Sequence, residues 1–77
     1  FGLFRMRPTM RNFMTETIAR WKRAVDGIEL RLRRDGRAFF YFPETQHWKT
    51  AIANTTIELV EQWRLEKGNE GFVRVER

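Results

Sequence analysis

Apolar residues in the first third of the chain recur at helical spacing. They stand at intervals of four, four, three and four, at Met10, Met14, Ile18, Trp21 and Val25. Such intervals place the side chains on one face of an α-helix. Pro8 suits the start of a helix and Gly27 suits its end. The pattern predicts a first helix over residues 10–26, preceded by an extended, basic and apolar lead-in at residues 1–9.

From Ile28 the spacing changes to strict alternation, which is typical of half-buried β-strands. Asp35-Gly36 separates two such runs, so residues 28–42 are predicted to form a β-hairpin. Two registers are open. A two-residue loop puts Phe39 and Tyr41 on the leucine face, whereas a three-residue loop with a bulge at Gly36 puts them beside the arginines. We favour the second register, because it gives the core Phe40 and Phe42.

Pro43 ends the second strand, because proline cannot donate to a β-ladder. Residues 45–67 then carry apolar stripes at helical spacing, which predict a second helix. Thr55 followed by Glu58 resembles a capping box, so this segment forms either one helix or two. Residues 72–76 alternate again and predict a short third strand.

These elements predict an α+β fold, in the order helix–strand–strand–helix–strand. Residues 10–77 would form a single small domain, with helices covering one face of a small antiparallel sheet. The expected core consists of the large apolar residues of both helices and the hairpin, namely Trp21, Leu30, Leu32, Ile52, Leu59 and Trp63.

The inventory of side chains argues against an enzyme. The 77 residues include no serine and no cysteine, so two common nucleophiles are missing, and His47 is the one histidine. The glycines occupy turns and caps rather than a phosphate loop. We therefore expect no catalytic residues, no metal site and no cofactor. The absence of cysteine suits a reducing compartment, so the cytoplasm or an organelle matrix is favoured.

Charge is distributed unevenly along the chain. Residues 1–37 hold ten Lys and Arg against four Asp and Glu, while residues 38–77 hold five against six. Arginine outnumbers lysine twelve to three, and its planar fork suits phosphates, carboxylates and aromatic rings. This asymmetry predicts one surface that faces an anionic partner.

Basic and aromatic residues coincide on the predicted hairpin. Single-stranded nucleic acid is commonly held by rings on a sheet together with flanking cations. We interpret the chain as a non-enzymatic basic binding module that contacts RNA or DNA through this hairpin face within a larger assembly. The candidate binding residues are Arg31, Arg33, Arg34, Arg37, Phe39, Tyr41, Arg20 and Arg23.

The alternative function is a structural accessory subunit of a multi-subunit complex, organellar or otherwise, with no nucleic-acid role. Exposed apolar residues would then meet protein subunits, and the candidates are Ile57, Val60, Phe1 and Phe4. No apolar run approaches the roughly 20 residues of a membrane-spanning helix. Peripheral membrane contact through the lead-in and a basic first helix bearing Trp21 is a third hypothesis.

Overall fold

The computed structural model describes residues 14–75, which form a five-stranded antiparallel sheet and a short helix. The elements are β1 (Thr17–Arg23), β2 (Glu29–Arg33), β3 (Ala38–Phe42), β4 (His47–Ile52), α1 (Ile57–Arg64) and β5 (Phe72–Val75). The strands lie in the order β4-β3-β2-β1-β5. The first four strands are therefore a meander. The chain then passes through α1 and places β5 beside β1.

The predicted order helix–strand–strand–helix–strand is wrong. Residues 17–23, assigned to the first helix, form β1, and residues 47–52, assigned to the second helix, form β4. Both segments contain threonine, isoleucine and tryptophan, which pack well on a pleated sheet. The fold is mostly antiparallel sheet, and the two long helices predicted to cover it are not seen among the described residues.

The burial of β1 shows why its helical spacing was misleading. Ala19 and Trp21 are buried, whereas Ile18 before them is exposed and Arg20 between them is half-buried, which is the two-residue period of a strand. Trp21 satisfies either period, because it lies three residues from Ile18 and two from Ala19. Strand pairing decides between helix and strand here, because β1 is hydrogen-bonded to β2 on one side and to β5 on the other.

The β2–β3 hairpin has the favoured register. Leu30 pairs with Phe40 and Leu32 with Ala38, so these four side chains share one face of the sheet. Gly36 adopts a φ of 92°, and its N–H donates to the carbonyl of Arg33 at 3.0 Å. A glycine with positive φ at this position closes a three-residue loop with a bulge. The predicted bulged register is confirmed.

The β3–β4 connection explains the start of β4. Strand β3 ends at Phe42, directly before Pro43, as predicted. The next four residues make the turn, in which Gln46 has a φ of 55°, and His47 then pairs with Phe42. The turn thus reverses the chain into a second hairpin instead of opening a helix.

Helix α1 begins one residue later than the predicted capping box. Thr56 is the N-cap, and its hydroxyl accepts a hydrogen bond from the N–H of Leu59 at 3.2 Å. Val60 is fully buried, whereas Leu59 is 50% exposed. The prediction that Leu59 belongs to the core is therefore wrong, because the helix turns its Val60 side to the sheet.

The core lies between α1 and one face of the sheet, which we call the helix face. Trp21, Leu30 and Leu32 are buried there as predicted, and Ile52 and Trp63 pack against them in part. The remaining buried apolar residues are Ala19, Ala38, Val60 and Phe72. Within residues 14–75, no helix has the length and apolar content to cross a membrane.

Candidate functional site

The second face of the sheet, which we call the outer face, carries no helix from residues 14–75. The strand registers place two rows of side chains across it, with one residue from each strand. From β4 to β5, one row is Thr50, Phe39, Arg31, Arg20 and Val75, and the other is Trp48, Tyr41, Glu29, Lys22 and Val73. The face therefore changes from aromatic, through charged, to aliphatic.

Three rings form the aromatic part of the outer face. Tyr41 and Trp48 lie directly opposite each other on β3 and β4, with ring centroids 4.7 Å apart. Phe39 meets Trp48 edge to face at 6.4 Å. Such pairs contribute about 0.5–1.5 kcal/mol beyond the burial of their area. Trp48 is nevertheless 47% exposed, so much of its surface is open to a ligand.

Two arginines of β2 lie over these rings. The Arg31 guanidinium is 4.6 Å from the Tyr41 centroid and 5.0 Å from that of Trp48. The Arg33 guanidinium is 4.2 Å from the Phe39 centroid. These are cation–π distances. A guanidinium that contacts a ring still has N–H donors for hydrogen bonds, and Arg31 Nε donates to Glu29 Oε1 at 2.8 Å.

One carboxylate lies among the cations of the outer face. Glu29 Oε1 accepts hydrogen bonds from Arg31 Nε at 2.8 Å and from Arg20 Nη1 at 3.3 Å. Its side chain is 14% exposed, so the ion pairs are partly shielded from water. The outer face of the described strands carries this one acid and four cations, which gives a net charge of +3. Glu29 thus holds two arginines in place without neutralising the surface.

The candidate binding residues lie at three places in the fold. Arg20, Arg31, Arg33, Phe39 and Tyr41 come together on the outer face. Arg34 and Arg37 lie at the loop end of the hairpin, where Arg34 forms an ion pair with Glu16 at 3.2 Å. Arg23 is on the helix face, 4.7 Å from the Phe72 ring centroid.

Arg23 is also held by a neighbouring turn. Its Nη2 donates to Asp26 at 2.7 Å and its Nε donates to the same carboxylate at 3.1 Å. These hydrogen bonds are the main cause that lowers the pKa of Asp26. Arg23 therefore belongs to the β1–β2 turn and the helix face, and it does not extend the cluster on the outer face.

One aromatic and one cationic residue of the outer face, Trp48 and Lys22, were not among the predicted binding residues. Trp48 falls within residues 45–67, which were predicted to form the second helix, although it lies in an edge strand beside Tyr41. The run of tryptophan, threonine and isoleucine after a proline-led turn could have indicated a strand there. Lys22 falls within residues 10–26, which were predicted to form the first helix, whereas it lies on the outer face of β1 opposite Glu29.

The residues proposed to face proteins or membranes lie elsewhere. Val60 is fully buried and Ile57 packs against the core, so Val60 has no surface to offer a partner. Phe1 and Phe4 fall outside the described residues. Trp21, which the membrane hypothesis required at the surface, is buried in the helix face. The exposed large aliphatic residues of the described part are instead Ile18, Val25, Leu59, Leu65 and Val73.

The groups collected on the outer face suit noncovalent binding of an anion that carries flat, apolar rings. Guanidinium and ammonium groups provide donors and positive charge, while Phe39, Tyr41 and Trp48 provide stacking surface. Among residues 14–75, no group of three or more His, Asp or Glu side chains is placed to hold a metal ion. Comparison with protein families, curated protein sequences and solved structures finds no match to this chain.

Proposed function

We propose that this chain is a non-enzymatic module that binds nucleic acid through its outer face, as part of a larger assembly. The observation that carries the proposal is the position of Arg31 over both Tyr41 and Trp48, on a sheet face that α1 does not cover. One cation and two rings are thereby available within a few ångströms of each other.

Nucleic acid fits this combination better than other anions. Inorganic phosphate, or a peptide whose side chains are only acidic, would use the cations but has no flat ring to place against Phe39, Tyr41 and Trp48. A nucleotide has both a charged phosphate and a flat base, so it can engage both halves of the surface. The sequence pI of about 10.7 adds a general attraction to polyanions.

Salt dependence tests the proposal directly. Binding of a fluorescein-labelled oligonucleotide would be followed by fluorescence anisotropy between 50 and 300 mM KCl. Each phosphate that the protein neutralises releases counterions. The logarithm of the association constant therefore falls more steeply with the logarithm of the salt concentration. The double variant Arg31→Ala, Arg33→Ala should lower the magnitude of that slope by about 1.4–1.8, which corresponds to two lost phosphate contacts.

A matched control removes the same charge elsewhere. Lys49 is on the helix-face side of β4, opposite Phe40, and Lys67 follows α1. The double variant Lys49→Ala, Lys67→Ala should leave the slope nearly unchanged. Equal effects of the two double variants would indicate general charge attraction without an outer-face site. No association at 50 mM KCl would reject the proposed function.

The second candidate function is a structural subunit with no nucleic-acid role. It is favoured by the aliphatic residues Leu59 and Leu65, which are exposed on and just after α1, away from the cationic cluster. Under this hypothesis Leu59→Asp, Leu65→Asp should weaken incorporation into the native complex, measured by co-purification. Arg31→Ala, Arg33→Ala should leave incorporation unaffected.

A further inference from the structure

We infer that the preferred ligand of the outer face is an unpaired nucleic-acid strand, with bases against the rings of β3 and β4 and phosphates along the cations of β1 and β2. This inference rests on the proposed function and specifies its ligand. It follows from the separation of ring and charge across the sheet, which is not required for binding a polyanion in general.

The separation is set by the strand order. Neighbouring strands lie about 4.8 Å apart, and β4-β3-β2-β1 are consecutive in the sheet. The rings stand on β3 and β4, while Arg20 and Lys22 stand on β1. The column of rings and the column on β1 are therefore about 10–14 Å apart. A strand that runs along the β-strands can place its bases on one side and its backbone on the other.

Arg31 lies at the border between these two columns. Its guanidinium contacts both Tyr41 and Trp48 through cation–π interactions, and its Nε is bonded to Glu29. The remaining N–H donors of Arg31 can bind the phosphate next to a base that stacks on Trp48. A guanidinium plane can itself stack on a base, so Arg31 continues the aromatic surface toward the cations.

A duplex does not suit this surface as well. In a duplex each base is stacked on its neighbours and paired, so no base face is free to meet Trp48. The five strands also span about 19 Å, wider than the roughly 12 Å major groove of B-form DNA. The exposed edge position of Trp48 is instead accessible to a base that is splayed out of a single strand.

Competition between a strand and its own duplex tests the inference. The probes are a mixed-sequence 12-nucleotide DNA strand, the RNA strand of the same sequence, and the corresponding 12-base-pair DNA duplex. The full chain should bind one or both single strands at least tenfold more tightly than the duplex at 100 mM KCl. Trp48→Ala should weaken single-strand binding by about 5- to 150-fold, without changing the slope of affinity against salt.

Three further variants test the ring column and the cation column separately. Thr45→Ala, an exposed position in the turn before β4 and outside the outer face, should bind like the unmodified chain. Arg20→Ala, Lys22→Ala should lower the salt slope by about 1.4 while keeping the preference for a single strand. Trp48→Phe retains a ring, so it should keep most of the affinity but lose the tryptophan fluorescence quenching that the strand causes.

The outcomes distinguish the inference from the function on which it rests. Equal affinity for strand and duplex, with Trp48→Ala binding normally and folded by circular dichroism, would overturn the inference and leave nucleic-acid binding intact. Stronger binding of the duplex would also overturn it. Absence of binding to all three probes would reject both proposals together.

Discussion

Trp21 on β1 donates its indole N–H to Glu61 on α1, with 2.9 Å between Nε1 and Oε2. Trp21 is fully buried, so this bond satisfies a polar group that has no access to water. The other oxygen of Glu61 accepts from Arg64 at 3.2 Å, and Arg64 also donates to the carbonyl of Phe72. Glu61 thereby connects the helix to the buried side chain of Trp21 on β1, an interior strand of the sheet.

We expect Glu61→Ala to lower the free energy of unfolding by about 1–3 kcal/mol, because the indole N–H of Trp21 is left buried without an acceptor. Glu61→Gln keeps an oxygen at that position and should cost less. Gln62→Ala, at an exposed position of the same helix, serves as the control. Urea denaturation followed by circular dichroism would measure all three, and equal stability of Glu61→Ala and Gln62→Ala would contradict the prediction.

The orientation of α1 gives a second prediction. Val60→Ala should lower the free energy of unfolding by about 2 kcal/mol, since it removes two buried carbon atoms and leaves a cavity. Leu59→Ala should change it by less than about 0.5 kcal/mol, because Leu59 is half exposed. Thermal or urea denaturation of both variants would measure the two losses of stability. If Leu59→Ala were the more damaging of the two, the helix would face the other way.

The hairpin turn gives a third prediction. Gly36 and Gly68 have nearly the same φ, 92° and 89°, so alanine is strained at both. A methyl group at Gly36 would also lie 3.2 Å from Asn54 Oδ1 and 3.4 Å from the carbonyl of Thr55, whereas nothing lies within 4 Å at Gly68. Gly36→Ala should therefore destabilise the chain more than Gly68→Ala, by about 1 kcal/mol or more.

The measurement for this comparison is the melting temperature of the two glycine variants. The neighbouring backbone cannot easily move away from Gly36, because Thr55 N–H donates to the carbonyl of Gly36 at 2.7 Å. Indistinguishable melting of the two variants would show that the loop before α1 yields without cost.

The carboxylate on the outer face gives a fourth prediction, which depends on the proposed function. Glu29→Gln removes a negative charge and releases Arg20 and Arg31 from their ion pairs. Affinity for a single-stranded oligonucleotide at 100 mM KCl should rise by about fivefold. Glu66→Gln is the matched control, because it removes the same charge at a residue that follows α1 and is not part of the sheet. Anisotropy titrations that gave both variants the affinity of the unmodified chain would place the ligand away from Glu29.

The hairpin could be predicted from sequence because its determinants are local. The Asp35-Gly36 turn and the alternation around it predict both strands but leave two registers open. The bulged register, favoured because it gives the core Phe40 and Phe42, is the one that the structure has. The strands β1 and β4 could not be predicted in this way. Their apolar residues fit helical and strand periods alike, and pairing decides between the two. For β1 one pairing partner, β5, lies about 50 residues away along the chain.

The candidate site was predicted in part for the same reason. Arg31, Arg33, Phe39 and Tyr41 belong to the hairpin, so local pattern placed them correctly together. Arg20 was selected as part of a helix, yet it reaches the same surface because β1 pairs with β2. Trp48 could be assigned to this surface only from the pairing of β3 with β4. The helical spacing of the apolar residues around it predicted a helix instead.

The position of β5 has a consequence for how the chain acquires its structure. The meander β1–β4 is made from neighbouring hairpins, but β1 gains its second partner only when Phe72–Val75 has been synthesised and has closed a long loop. Until then, the open backbone groups of β1 are able to pair with a strand of another chain. Deletion of Phe72–Val75 should therefore promote aggregation of newly made protein, because the backbone of β1 then stays open to pairing between chains.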